Sequence, residues 1–279
     1  MALRPRAEIR IDKEAARVSW SCIFKTPGST TCSSKSSRFR TRTPPPSGPR
    51  RSIASIRSSN PPGRFPAPRG WRPSRGSCAA STPRREQTIH EKTRAYAAHW
   101  QRCKPQVTAA LSDAFSLDAA GLFNDLQVCL SLNPIEPRYL REHRFDLFYL
   151  NSPQGAVGAA LHEIIHFLHF YVWDGLFDDP PDACEAPALP WLLSEMVVEP
   201  IMRDERLRSI NPYFERENGG CVYPYFYDMT LDGRPLLDTL YEMYRTQPID
   251  AFMRESYAFL QAHEDAVRAH IRRAEQAAT

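Results

Sequence analysis

Residues 161–166 read Leu161-His-Glu-Ile-Ile-His166, and the rest of the chain is best interpreted outward from this stretch. His162 and His166 are four residues apart, so on an α-helix their side chains lie on one face, with Cβ atoms about 5–6 Å apart. This spacing lets both imidazoles reach one Zn²⁺ ion at about 2.0–2.1 Å. Glu163 is rotated around the helix from the first histidine, where it can hold a water molecule instead of binding the metal. The stretch therefore predicts a helix that carries a zinc site.

The flanking residues favour this metal site over an amphipathic helix with two surface histidines. Nearly all of them are apolar, so the helix is expected to be hydrophobic on all sides and buried: Ala159, Ala160, Leu161, Ile164, Ile165, Phe167, Leu168 and Phe170. Two histidines and a glutamate in a buried helix need polar partners, and a shared metal ion supplies them. His169 is too close along the helix to complete the ligand set and is predicted to be a histidine of the core or its rim.

A third zinc ligand is expected further along the chain, because a catalytic zinc has three protein ligands and one open position. The segment Pro190-Trp-Leu-Leu-Ser-Glu-Met-Val-Val-Glu-Pro200 places Glu195 and Glu199 four residues apart in an apolar helical stretch. We predict that Glu195 binds the zinc. We further predict that Glu199, one turn on, accepts a hydrogen bond from a zinc-binding histidine and so fixes its tautomer.

Together, the two segments resemble the gluzincin metallopeptidases, whose third ligand is a glutamate on the following helix. Residues 190–199 are similar to the P-x-W-L-x-E-G-x-A-E segment of many bacterial gluzincins, with Met196 where glycine is common. The resemblance covers roughly residues 145–205. It implies a zincin-like domain in which Zn²⁺ is held by His162, His166 and Glu195, with Glu199 in the position that supports a histidine.

Composition divides the chain into two parts at about residue 85. Residues 1–85 hold 19 Lys and Arg against 3 Asp and Glu, whereas the remainder holds 17 against 29. The first part is rich in Arg, Ser, Pro and Gly and has no helical or alternating period. Such a segment cannot bury enough apolar surface to offset its ordering entropy. We therefore predict a disordered basic tail over residues 1–85 and a folded domain over residues 86–279.

Three interpretations of the tail compete. A basic arm can bind nucleic acid or another acidic partner through its charge. A Ser- and Arg-rich, acid-poor segment is also typical of transit peptides. The third interpretation, which we favour, is that residues 1–85 are translated non-coding sequence that precedes a mis-assigned start.

The cysteines indicate an intracellular protein, for which we expect a cytoplasmic location. There are seven, an odd number, and none forms a C-x-x-C pair, so neither a disulfide framework nor a cysteine zinc site is predicted. No apolar run reaches about 18 residues, so no membrane span is expected.

The expected fold class is α+β, mainly α, with a small sheet. Helices are predicted over residues 85–120, 235–247 and 249–277, besides the two ligand helices. The aromatic stretch at residues 145–150 predicts a strand, and Asn151 or Ser152 is expected to cap the helix that carries the zinc histidines. A strand just before that helix provides an edge against which a peptide substrate can lie as an added strand.

Hydrolysis of a peptide bond develops an oxyanion, which a Tyr or His donor usually helps to stabilise. Tyr223, Tyr225 and Tyr227 are candidates, and the alternative for each is packing over the cleft. The predicted function is a zinc-dependent metallopeptidase that acts on peptide or protein substrates by a zinc-activated water, with Glu163 as general base. The alternative is a non-catalytic metal-binding protein of zincin fold whose basic tail binds nucleic acid or an acidic partner.

Overall fold

A computed structural model describes residues 11–12, 17–19, 83–123 and 126–277. All of these residues belong to one compact unit. The prediction of a disordered tail falls mostly on residues outside this description and stays a prediction. Two short strands, at Ile11–Asp12 and Arg17–Ser19, fall within the predicted tail.

Helices make up most of the described part of the chain, and the fold class α+β, mainly α, is confirmed. They are α1 (Pro83–Phe115), α2 (Ala119–Phe123), α3 (Pro153–Leu176), α4 (Leu189–Met196), α5 (Val198–Met202), α6 (Glu205–Arg208), α7 (Pro224–Tyr227), α8 (Leu236–Thr246), α9 (Ile249–Ala262) and α10 (Glu264–Ala277). Short 3-10 turns occur at Pro181–Cys184 and Arg216–Asn218. None of the described helices is both long enough and apolar enough to cross a membrane.

A small mixed sheet precedes the central helix α3. Its strands are β1 (Ile11–Asp12), β2 (Arg17–Ser19), β3 (Gln127–Ser131), β4 (Arg138–Tyr139) and β5 (Arg144–Phe148), in the order β1-β2-β3-β5-β4. β3 and β5 are parallel, and β4 pairs with β5 in antiparallel fashion, with Arg138 opposite Phe145. β4 is therefore an edge strand of this sheet. A separate hairpin joins β6 (Thr230–Leu231) to β7 (Arg234–Pro235).

The helix α3 lies at the centre of the molecule, where it packs against α1, α4, α9 and β5. It is buried over most of its length, as its apolar sequence predicts: Gly155, Ala156, Val157, Gly158, Ala160, Leu161, Ile164, Ile165, His166, Leu168, His169, Phe170 and Trp173. Ser152 caps its N-terminus, and the Ser152 hydroxyl accepts a hydrogen bond from the Gly155 N–H at 2.9 Å. Pro153 follows as the first helical residue, where its missing N–H costs nothing.

Two predicted helices are broken in the structure. The segment that carries Glu195 and Glu199 divides into α4 and α5 at Val197, because Pro200 has no N–H with which to continue the helical hydrogen bonds. The stretch predicted as one helix over residues 249–277 divides into α9 and α10 at His263. The predicted strand over residues 145–150 is confirmed as β5, which begins one residue earlier, at Arg144.

Candidate metal centre

Three side chains converge where α3 meets α4. They are His162 and His166 on α3 and Glu195 on α4. Each offers one atom that could bind a metal ion, and these atoms all lie within 4.8 Å of one another. Nε2 of each histidine lies 3.4 Å from Glu195 Oε2, and the two Nε2 atoms are 2.9 Å apart. Ligands held tetrahedrally at about 2.0–2.1 Å from zinc are separated by roughly 3.3 Å. The spacing of the three donors therefore fits a zinc ion.

The two histidines differ in their surroundings. His166 is fully buried, and its burial, aided by the charge of Arg138, lowers its pKa to about 3, so its ring is neutral near pH 7. The His162 ring is partly exposed, and its Nδ1 lies 2.8 Å from the backbone carbonyl oxygen of Cys221. As the donor of that hydrogen bond, Nδ1 carries the proton and leaves the lone pair of Nε2 directed towards Glu195.

Glu195 is the charged member of the group. Burial alone would raise its pKa, but contacts with His166 and His162 hold the pKa well below its usual range, so the side chain is a carboxylate. Two imidazole nitrogens and one carboxylate oxygen form a donor set that zinc accepts. Against the effect of burial, contacts with Glu195 and Glu163 raise the pKa of His162, so metal binding there would displace a proton.

Arg138, on the edge strand β4, was not singled out by the sequence. Its Nη1 donates to Glu163 Oε2 at 3.2 Å, and its Nη2 lies 3.4 Å from Glu195 Oε1. Burial works against the charge of this arginine, but Glu163 and Glu195 together raise its pKa. Arg138 thus links the expected general base to the expected third ligand. Only the pairing of β4 with β5 brings it there, and no local motif marks it.

Glu163 lies beside the three donors without joining them. Burial raises the pKa of its carboxyl group, and Arg138 and His162 oppose that rise. A carboxylate with a raised pKa near a metal is suited to accept and return a proton.

Glu199 has a different partner from the one predicted. Its two oxygens accept hydrogen bonds from Arg203 Nε at 2.9 and 3.1 Å. No hydrogen bond between Glu199 and a histidine occurs among the described residues. The supporting contact to His162 comes instead from the Cys221 carbonyl, a backbone atom that sequence patterns cannot identify.

The structure separates the three candidate tyrosines. Tyr223 lines the cavity beside His162 and Glu163, and its pKa is raised to about 12 by burial and by the charge of Glu195. Tyr225 stacks on the Tyr223 ring with a centroid distance of 5.2 Å. The Tyr227 hydroxyl accepts a hydrogen bond from the Cys221 N–H at 3.0 Å.

The Tyr227 ring also accounts for the glycine at position 220. Gly220 has a left-handed φ of 77°, and a Cβ atom there would lie 2.8 Å from the Tyr227 ring. Tyr227 and Gly220 therefore shape the turn that presents the Cys221 carbonyl to His162.

A cavity of about 310 Å³ opens beside the metal ligands. One wall is the first half of α3, where Gly158 and Ala159 leave space before His162 and Glu163. The facing walls come from the loop that precedes β4 and from the segments at residues 211–213 and 220–224: Ile135, Glu136, Asn211, Tyr213, Gly220, Cys221, Val222, Tyr223 and Pro224.

His169 is fully buried, as predicted for a core histidine, but neither ring nitrogen has a hydrogen-bond partner among the residues that the structure describes. The ring stacks on Trp173, with centroids 5.5 Å apart. Burial, aided by the charge of Arg138, lowers its pKa to about 3.

Comparisons with models of known protein families, with curated proteins and with solved structures found no match.

Proposed function

We propose that this chain is a zinc-dependent peptidase that hydrolyses peptide bonds with Glu163 as general base. The observation that carries the proposal is the convergence of His162, His166 and Glu195, at the spacing of zinc ligands, beside a cavity that Glu163 also lines. When bound, zinc supplies Lewis acidity that activates water and polarises a carbonyl oxygen.

Glu163 has the position and chemistry of a proton carrier. It accepts the proton of the attacking water and then passes it to the nitrogen of the leaving amine. Arg138 donates to one Glu163 oxygen and so fixes the orientation of the carboxylate. This contact leaves the other oxygen for the water.

Tyr223 is the tyrosine best placed to assist. Because its pKa is raised to about 12, its hydroxyl keeps its proton at neutral pH and can donate to the oxyanion that develops on the scissile carbonyl. Tyr225 supports the Tyr223 ring by stacking, and Tyr227 supports His162 through Cys221.

The edge strand β4 offers a place for the substrate backbone. It pairs with β5 on one side and is the last strand in the order of its sheet. An extended peptide added to that edge passes next to Arg138 and the cavity, as in other cases of strand addition.

The proposal is tested with the full chain, its zinc content measured by mass spectrometry and its activity measured on a mixed peptide library. Glu163→Gln is expected to keep one zinc per chain, because Glu163 is not a ligand, and to lower the hydrolysis rate by about 10²–10⁴-fold. The matched control is Glu142→Gln, which makes the same change at an exposed residue between β4 and β5. It should cleave like the wild type.

Removal of the metal gives an independent check. Wild-type protein treated with a chelator should be inactive and should recover when Zn²⁺ is restored. If wild type and Glu163→Gln both hold zinc and their cleavage rates are the same for every peptide, the peptidase proposal is wrong. The alternative of a non-catalytic metal-binding protein then replaces it.

A further inference from the structure

A second carboxylate, besides that of Glu163, lines the cavity. Glu136 lies in the loop between β3 and β4, is half-buried, and shares the cavity with His162 and Glu163. None of the roles described above uses it.

The Glu136 side chain is fixed through one of its two oxygens. Oε1 accepts hydrogen bonds from the Phe148 N–H at 2.7 Å and from Asn151 Nδ2 at 2.8 Å. Oε2 accepts no hydrogen bond from any described residue. One oxygen thus orients the carboxylate and leaves the other available to a ligand.

The backbone around Glu136 is also specialised. Glu136 has a left-handed φ of 53°, which is uncommon for a residue with a side chain. The loop is held before it by the Asn133 side chain, which accepts from the Ile135 N–H at 3.0 Å, and after it by the Pro137 carbonyl, which accepts from Asp146 N–H at 3.0 Å. The carboxylate is therefore presented by a rigid loop.

Glu136 forms no ion pair with a described residue. Both of its hydrogen-bond donors are neutral, and Glu163, which lines the same cavity, is of like charge. Burial raises the pKa of Glu136 and Glu163 adds to that rise, whereas the two hydrogen bonds and His162 lower the pKa. A cation that entered the cavity would relieve both costs.

We propose that Glu136 binds an ammonium group of the substrate and makes the site selective for peptides that carry a primary amine near the scissile bond. This inference rests on the proposed peptidase function. An ammonium group is favoured over a guanidinium, because a guanidinium pairs best with both oxygens of a carboxylate and Oε1 is already occupied. The aromatic rings of Tyr213 and Tyr223, on the same cavity wall, suit an ammonium group as well.

The primary amine has two sources, which are the free N-terminus of a peptide and a lysine side chain. The test therefore uses four synthetic peptides of one sequence. They carry a free or an acetylated N-terminus, combined with lysine or norleucine at the residue before the scissile bond. A preference for the free N-terminus identifies an aminopeptidase-like site, and a preference for lysine identifies a side-chain pocket.

Wild-type full chain should cleave the preferred amine peptide with a kcat/KM about 10- to 100-fold above that of the acetylated norleucine peptide, as expected for one hydrogen bond to a charged group. Glu136→Gln keeps an oxygen for Phe148 and Asn151 but replaces Oε2 by an NH₂ group. It should lose this preference, so that the ratio of kcat/KM for the amine peptide to kcat/KM for the neutral peptide falls to about 1. Glu142→Gln is the control for the change of net charge and should keep the preference.

A binding measurement separates failure of this inference from failure of the peptidase proposal. Fluorescently labelled versions of the same peptides are titrated into the Glu163→Gln chain, with and without Glu136→Gln. Tighter binding of the amine peptide, by about 10-fold or more, that disappears with Glu136→Gln supports the inference even if the wild type cleaves nothing. Equal, measurable affinities of the folded Glu163→Gln chain for the amine and neutral peptides overturn it, and so do equal, measurable kcat/KM values on the wild type.

Discussion

Glu195 and Glu199 are four residues apart, on α4 and α5, yet their carboxylates have different kinds of neighbours. Both Glu199 oxygens accept from Arg203 Nε, at 2.9 and 3.1 Å, and Arg203 also reaches Asp238 at 2.9 Å. Glu195 Oε2 lies 3.4 Å from each of two histidine nitrogens, and Oε1 lies 3.4 Å from Arg138. Glu199 has the shorter contacts, and Glu195 lies among more partners at longer range.

The difference indicates which carboxylate forms short, direct hydrogen bonds with groups of the chain itself. Hydrogen bonds between N–H groups and oxygen are most often about 2.9–3.0 Å long, and 3.4 Å is long for such a bond. The distances around Glu199 are those of a direct, hydrogen-bonded ion pair. The longer distances around Glu195 fit the proposal that its carboxylate and the two histidines share a metal ion, in which case the two glutamates serve different purposes.

The largest expected effect concerns the affinity for zinc. Replacing a residue that supports a ligand usually costs 10–100-fold in metal affinity, and replacing the ligand itself should cost more. Glu195→Gln is therefore expected to weaken zinc binding by more than about 100-fold, because a neutral amide substitutes poorly for a carboxylate. Glu199→Gln should change it little, since Glu199 pairs with Arg203. Competition with a fluorescent zinc chelator measures both variants.

That comparison has a built-in control, which is the His162→Ala/His166→Ala chain that should hold no zinc. If Glu199→Gln loses zinc and Glu195→Gln keeps it, the two carboxylates have exchanged roles.

A second prediction concerns His169, one turn beyond the ligands. Its pKa is about 3 in the folded chain against 6.5 in an unfolded one, first because of burial and then because of Arg138, while Glu195 acts in the opposite direction. Below pH 6.5 the unfolded chain takes up a proton that the folded chain refuses. The stability that depends on neutral His169 is thus complete above pH 6.5 and falls as the pH drops towards 3.

Urea unfolding with a chelator present measures this effect. Between pH 7 and pH 5 the wild type should lose about 2 kcal/mol more than His169→Leu, since one proton contributes about 1.4 kcal/mol per pH unit. His166 also has a pKa of about 3, but both proteins contain it, so its contribution cancels. An identical loss in the two proteins would show that His169 is protonated in the folded chain.

The smallest effect is expected for the stability of Glu199→Gln. The two partners of this ion pair contribute to stability with opposite signs. Pairing raises the pKa of Arg203, which favours its charged form, whereas burial raises the pKa of Glu199 despite the pairing, which disfavours its charged form. Arg203 also keeps Asp238 when Glu199 is replaced. Thermal unfolding should show a loss of no more than about 1 kcal/mol. A loss of several kcal/mol would mean that this pair is essential to the fold.

Several predictions that came from local patterns agree with the structure. The apolar flanks of residues 161–166 predicted a buried helix, and α3 is one. Asn151 or Ser152 was expected to cap that helix, and Ser152 does so, because a cap acts within one turn. The i, i+4 spacing brings His162 and His166 together, and the apolar segment around Glu195 brings the third donor to them.

Residues whose role depends on distant parts of the chain could not be predicted. Arg138 and Glu136 reach the site through the pairing of β4 with β5 and through the loop before it. The Cys221 carbonyl supports His162 across 59 positions of sequence. Glu199 was expected to face a histidine because a period of four places it one turn after Glu195, but the break at Val197 and the presence of Arg203 give it another partner.

The contact between His162 and Cys221 also bears on the order in which the site is assembled during synthesis. All three donors leave the ribosome before Cys221, and Tyr227, which holds the Cys221 N–H, follows later still. A nascent chain that ends before residue 221 lacks the carbonyl that accepts from His162 Nδ1 in the folded chain. The hydrogen bond that favours the Nδ1-protonated tautomer therefore forms only after the segment that follows α6 has been made.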